Sequence, residues 1–294
     1  TLNGNTTFEP RLQISWEAGE KHLISGGYGL YSMLLPRHIY LYPIIPGPAY
    51  SSQNESLESM MSGVGNVIYQ FQPNKELNFS AEVYYQKHFN APINEVNGYT
   101  YSLLNYLEEE SIPLLSNDGT GKNYGLELNV EKGLSNSSYF LVGGSLYSAS
   151  FAGQDNIDQK GRFDGGYTLN TTWGRETDWS KGDKKRTLNY SARFLYLGGF
   201  NDYPVNEFLS AKAGTTIFDQ AAGFSQPLED YYRLDFSISI RKQKENYTRI
   251  LALDMQNMLS RENQSYFYYD NRMGEVIDKR QLGIMPILVY RVEF

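Results

Sequence analysis

Hydrophobic and polar residues alternate with a period of two along most of this chain. The split is cleanest where Tyr232, Leu234, Phe236, Ile238 and Ile240 alternate with Arg233, Asp235, Ser237, Ser239 and Arg241. Successive side chains of a strand point to opposite faces, so this pattern predicts a strand with one apolar and one polar face. Leu77, Phe79, Ala81, Val83 and Tyr85 against Asn78, Ser80, Glu82, Tyr84 and Gln86 predict another. Tyr124, Leu126, Leu128 and Val130 against Asn123, Glu127, Asn129 and Glu131 predict a third. The final stretch repeats the theme, with Leu282, Ile284, Pro286, Leu288, Tyr290, Val292 and Phe294 all on one face.

Read in order, the remaining segments give strands over residues 8–17, 21–32, 59–72, 138–151, 161–179 and 185–197, and one carrying Leu251, Leu253 and Met255. The total is about eleven strands of ~10–15 residues, the length class of tilted membrane strands. The connections alternate. Tight polar turns lie near residues 19, 74, 135, 182 and 244, and longer loops at 33–58, 89–121, 152–160, 198–229 and 260–280. In an up-and-down barrel every second connection lies at the same end, and outer-membrane barrels place short turns in the periplasm and long loops outside. A soluble sandwich has no reason to keep that order.

The fold expected is therefore all-β: a transmembrane antiparallel up-and-down β-barrel. The last strand should end in the periplasm, which makes the first one descend from outside. An odd number of strands does not fit a single-chain bacterial barrel. It would also leave two unpaired edges. The whole of 1–294 is therefore expected to be a fragment of one barrel domain.

Composition narrows this further. No window of the 294 residues approaches the ~20 apolar residues a membrane helix needs. Alternating barrel strands average to modest hydropathy and escape that test. The absence of cysteine rules out a disulfide scaffold and thiolate metal sites. A net charge of −7 argues against nucleic acid as a partner. The first residues, TLNGNTTFEP, show no initiator Met and no apolar export core, in keeping with a piece of a longer chain.

The run NYGLELNVEKGLSNSSYFLVGGSLYSASFAG (123–153), GRFDGGYTLN, RTLNYSARFLYLGG, DYYRLDFSISIRK, LALDMQNMLSRENQ and the closing YRVEF resemble the C-terminal barrel half of TonB-dependent outer-membrane receptors. The resemblance rests on this ordered series, from about Phe8 onward, and on no single motif. It implies about eleven C-terminal strands of a 22-stranded barrel, with an N-terminal plug that this sequence lacks. It also implies energy-coupled uptake of an external siderophore, corrinoid, oligosaccharide or peptide. The implied partners are outer-membrane lipid, the missing plug and barrel half, and the TonB complex acting through the plug. A surface lipoprotein or other outer-membrane subunit completes the set. The C-terminal strand, with Leu288, Tyr290, Val292 and Phe294, would be read by the barrel-assembly machinery.

Apolar faces are expected to meet lipid, with Arg233, Asp235 and Arg241 in the lumen. Arg249, in phase with the apolar set, should snorkel to the periplasmic interface. Trp16, Trp179, Tyr247 and Tyr290 should join aromatic girdles. Lumen charges such as Glu127, Glu131, Arg193 and Asp235 are read as pairing with one another or with the plug. The ligand candidates are the loop tyrosines Tyr40, Tyr42, Tyr50, Tyr99, Tyr101 and Tyr106, because aromatic rings stack on ligand rings at low entropic cost. Tyr266, Phe267, Tyr268 and Tyr269 are read as continuing the wall above the membrane.

No catalytic residues, metal ligands or cofactors are assigned. His22, His38 and His88 lack metal-ligand spacing, and Glu108-Glu109-Glu110 reads as a solvated patch. The alternative function is a passive porin. A barrel hydrolase using His38 and a soluble glycan-binding β-protein rank below it.

Overall fold

The computed structural model describes residues 6–41, 54–96, 98–107, 112–180 and 185–294. Eleven strands follow one another through a single antiparallel sheet. They are β1 Arg11–Glu17, β2 His22–Met33, β3 Met60–Phe71, β4 Leu77–Val96, β5 Ser116–Ser135 and β6 Ser138–Ala152. Then come β7 Tyr167–Asp178, β8 Lys185–Leu197, β9 Tyr231–Gln243, β10 Thr248–Gln256 and β11 Met285–Glu293. Each pairs with its neighbours in this order, and among the described residues β1 and β11 pair on one side only.

The register joins eleven separate alternations into one continuous apolar face. One hydrogen-bonded row runs through Trp16, Ile24, Tyr69, Ala81, Leu128, Gly144, Leu169, Tyr196 and Tyr232. The row starts beside the short turn after β1 and arrives at the loop end of β9, so the strands are staggered in the sense a tilted barrel wall requires. Leu12, Ile14, Val83, Leu128, Leu146, Leu288 and Tyr290 on this face are all exposed. Burying a side chain of that size in an apolar medium stabilises by roughly 1.5–3 kcal/mol. In water the same face would be an extended apolar surface far beyond what a soluble monomer tolerates.

Aromatic residues border that band. Toward the short turns, the Phe71 and Phe79 rings lie 5.9 Å apart and those of Trp173 and Tyr190 5.7 Å apart. Arg249 folds over the Tyr247 ring at 4.9 Å, which is the interfacial placement its phase suggested. Toward the loops, Tyr167 and Tyr196 have ring centroids 5.5 Å apart, and Tyr196 and Tyr232 6.4 Å.

The opposite face is polar. Asn66 Nδ2 donates to Glu82 (2.8 Å), and the Ser145 and Thr168 hydroxyls are 2.6 Å apart. Arg193 stands across from Asp235, which pairs with Arg233 at 2.8 Å. Glu127, by contrast, stands across from Glu82, a like-charge pair in register.

Several expected boundaries shift. β4 and β5 run to 20 residues each, so the loop expected at 89–121 shrinks to its central part. Positive φ at Asn90 and two register shifts break the period-two pattern there. β7 begins at Tyr167 rather than 161, which removes Arg162, Phe163 and Asp164 from the wall. β11 begins at Met285, because Gln281 N donates to Asn263 O and Asn257 Nδ2 to Leu282 O, holding 281–284 outside the ladder. The segment with Tyr266 to Tyr269 does not extend the wall. It forms a separate hairpin, Gln264–Asp270 with Glu275–Arg280. The loop expected at 198–229 holds a two-residue strand pair and a helix, α1 Glu207–Ala213. Asn206 Oδ1 accepts from Leu209 N at its start, and Gly214 (φ 70°) ends it.

Candidate functional site

A single-layer sheet has no core between layers, so the buried side chains gather where the long loops fold together. Leu35, Ile39, Tyr40, Leu57, Tyr101, Ile112 and Leu115 form one loop core, with Tyr99, Leu103 and Tyr106 at its margin. Asn54 fastens it: Nδ2 donates to the carbonyls of Ile39 and Pro113, and Oδ1 accepts from Leu115 N at 2.9 Å. Of the loop tyrosines expected to meet ligand, Tyr40 and Tyr101 are thus buried, while Tyr99 and Tyr106 are half-buried. The Tyr106 hydroxyl also lies 3.5 Å from His38 Nε2. Tyr42, Tyr50 and Glu108 to Glu110 lie outside the described residues.

A second node is built around Arg162. Its guanidinium lies 5.1 Å from the Phe224 ring and 5.7 Å from Tyr203, whose own rings stack at 4.3 Å. Asp202 approaches it at 3.5 Å. Burial pushes the Asp202 carboxyl above the ordinary carboxylate value, against the pull of the Tyr203 N–H and of Arg162. Arg162 N donates to Asn105 Oδ1 (2.8 Å), and Asn201 Nδ2 donates to Gly161 O and Asp164 O. Three loops are tied together here.

Between that node and the polar face of the wall lies a cavity of about 320 Å³. Its wall side is Tyr84, Gln86 and His88 from β4, Asn123 from β5 and Tyr147 from β6. Its loop side is Leu104, Asn105, Phe151 and Phe163. Beside it, a Cβ on Gly125 would stand 2.7 Å from the Leu146 carbonyl oxygen and 2.8 Å from the Tyr84 hydroxyl, so glycine suits the close approach of that ring to β5. Gln86 Nε2 donates to Ser62 (2.8 Å), and Asn123 Nδ2 reaches both Gln86 Oε1 (3.3 Å) and His88 Nε2 (3.2 Å). Among the described residues, no lining side chain carries a formal charge, apart from what a protonated His88 would bring.

The outer rim carries a charged clamp. Asp230 accepts from the hydroxyls of Tyr167 (2.6 Å) and Tyr196 (2.9 Å) and from Gly199 N (3.1 Å). Those hydroxyl bonds, Tyr167 first, hold its carboxyl below the usual range. Arg280 grips both oxygens of Glu229 (2.8 and 2.9 Å), lowering the pKa of Glu229 in turn. Arg261 bonds Glu229 and lies 4.1 Å over the Tyr232 ring.

No protein-family model matches the sequence, and no characterised protein matches it by sequence. Solved structures do match by shape. The outer membrane transporter YddB from Escherichia coli superposes with a TM-score of 0.62 at 12% identity, over 98% of this chain and 40% of that one. The ferric yersiniabactin uptake receptor FyuA from Yersinia pestis gives 0.60 at 12% identity, over 97% of this chain and 37% of that one. The FrpB iron transporter from Neisseria meningitidis gives 0.55 at 12%, over 97% and 38%. The fold is that of a TonB-dependent receptor barrel. The chain spans well under half the length of these receptors.

Of the cavity residues, Tyr84, Gln86 and Asn123 were visible in the sequence only as polar-face positions, and His88 and Tyr147 were assigned to neither face. Nothing local marks them as a group, because strand register brings them together. The spacing of His88 and Asn105 cannot be read from a chain in which a loop folds back onto the wall.

Proposed function

We propose that residues 1–294 are the C-terminal part of the barrel of an energy-coupled outer-membrane uptake receptor. The observation that carries the reading is directional. Eleven strands share one continuous apolar face, every long connection lies at one end, and two of those loops border a cavity on the polar side. A wall of this kind separates lipid from lumen and presents a ligand-sized recess to the outside. The solved structures with this fold are receptors and transporters, which favours transport over hydrolysis and a plugged receptor over a passive porin.

On this reading the remaining strands and the plug are supplied by residues outside this sequence. The TonB complex acts on the plug, and a surface lipoprotein or another outer-membrane subunit is an optional partner. The loop core that contains Tyr40 and Tyr101 positions Tyr99 and Tyr106 at its margin, where they meet ligand. Leu288, Tyr290, Val292 and Phe294 form the lipid-facing edge that guides barrel assembly.

The test is uptake by cells carrying the complete gene, with and without a functional TonB complex. Accumulation that stops when the complex is deleted or a protonophore is added supports the proposal. Accumulation that follows only the external concentration supports the porin.

A further inference from the structure

Strand register sets three cations side by side on the lipid face at the short-turn end of the wall. Arg186 of β8 stands opposite Lys242 of β9, and Lys242 stands opposite Arg249 of β10. All three are exposed. They share the apolar face, because the next row of that face toward the middle of the wall reads Leu188, Ile240, Leu251 and Tyr290. Adjacent strands lie about 4.8 Å apart, so the three residues span roughly 10 Å. Like charges directly opposite one another repel.

The wall supplies no anion to relieve that repulsion. Asp178 and Glu293, the nearest acids in register, lie on the polar face. There Asp178 accepts from the Thr187 hydroxyl (2.7 Å), and Glu293 lies 3.5 Å from Arg291. Glu245 lies in the turn between β9 and β10, and among the described residues no carboxylate pairs with Arg186, Lys242 or Arg249. The loop end provides the contrast. Lys87 and Lys122 also stand opposite each other on the lipid face, but Asp158 accepts from Lys122 at 2.7 Å. The fold neutralises that like-charge pair and leaves the other row open.

Its surroundings point to what closes it. Trp179 continues the row, its N–H donating to the Arg186 carbonyl at 3.0 Å, and the Tyr247 ring lies 4.9 Å from the Arg249 guanidinium. Trp and Tyr gather at the depth of lipid headgroups, so the cations stand at headgroup depth and the Leu188 row at acyl-chain depth. Short turns place this end in the periplasm. We propose that Arg186, Lys242 and Arg249 bind the headgroup of an acidic phospholipid in the periplasmic leaflet, with its acyl chains lying on Leu188, Ile240 and Leu251. The two guanidinium groups offer paired N–H donors to phosphate oxygens, and Lys242 adds a compact charge between them. The site requires only a membrane barrel wall, so it stands whether or not transport is energy-coupled.

The experiment is native mass spectrometry of the complete receptor in detergent, titrated with phosphatidylglycerol, with phosphatidylcholine, and with phosphatidylglycerol in competition with water-soluble glycerol 3-phosphate. A basic residue beside acidic lipid is worth roughly fivefold in affinity. Phosphatidylglycerol should therefore bind in preference to phosphatidylcholine. Replacing the row with Arg186→Gln, Lys242→Gln and Arg249→Gln together should weaken it by about tenfold or more. Lys185→Gln, which removes a charge from the polar face one residue away, should leave binding unchanged. Melting curves establish folding, and the three single variants, each about fivefold weaker, carry the test if the triple variant does not fold. Equal binding of the two lipids overturns the proposal, as does a preference that survives the substitutions or falls equally with Lys185→Gln. Displacement of the lipid by glycerol 3-phosphate at matching concentration makes the row a site for free anions and overturns the lipid assignment.

Discussion

Leu128 offers the sharpest test of which face meets lipid. It lies on β5 between Tyr124, at the loop-side aromatic border, and Lys132, whose Nζ turns to the Ser135 carbonyl near the short turn. Its cross-strand neighbours are Ala81 and Gly144, so it stands exposed with little beside it. Leu128→Arg places a guanidinium near the middle of the apolar band, at a cost of roughly 2–4 kcal/mol. That corresponds to about one and a half to three powers of ten in the folding equilibrium. The next residue, Asn129, faces the polar side, and Asn129→Arg is expected to cost about 1 kcal/mol or less. The assay is folding of the complete receptor into lipid vesicles, followed by the mobility shift of folded barrels on unheated gels across a urea series. Equal costs for the two variants, or a greater cost for Asn129→Arg, would refute the assignment of faces.

Three further outcomes follow from the loop end and the C-terminus. Hydrogen bonds hold Asp230 below the ordinary carboxylate range, so its stabilisation is fully present above about pH 4 and is lost as pH falls through the lower folded value. Asp230→Asn should therefore flatten the acid limb of the thermal melting profile, and an unchanged limb would contradict the clamp. Arg162→Met should loosen the loops by about 3–5 kcal/mol, read as faster hydrogen exchange from residue 201 to 203. Burial raises the Asp202 pKa, so the stabilisation tied to its protonated form is full below about pH 4 and lost as pH rises through the folded value. The variant should thus open further at pH 7 than at pH 4, and pH-independent exchange would be the contrary result. Deleting Phe294, fully exposed beyond β11, should reduce the amount of assembled receptor more than ligand affinity, and normal assembly with impaired binding would overturn its role.

The wall was legible in the sequence because period-two alternation is a local signal, cleanest over 77–86, 123–131 and 232–241. The direction of the sheet was legible too, since loop length alternates along the chain. What the pattern could not show is anything decided by contacts across the loops. The far halves of β4 and β5 leave the membrane band, so their alternation no longer has to be apolar. α1 carried a readable cap signature in Asn206 and Gly214, but seven residues give too short a period to stand out from a loop. Arg162 fell inside the strand expected over 161–179, and its burial beside Tyr203, Phe224 and Asp202 is decided by contacts between loops. The loop tyrosines were read as ligand contacts on two separate loops, and nothing in the sequence showed that Tyr40, Tyr99, Tyr101 and Tyr106 meet in one loop core. Rings suited to stacking on a ligand are equally suited to packing on one another, and Tyr40 and Tyr101 do the latter.

The central claim is that this wall belongs to a plugged, energy-coupled receptor and not to an open channel. The most direct measurement is the conductance of the complete gene product in a planar bilayer without any partner complex. The account predicts a barrel that stays closed to ions at moderate voltage. Steady open conductance from the purified protein alone would contradict it.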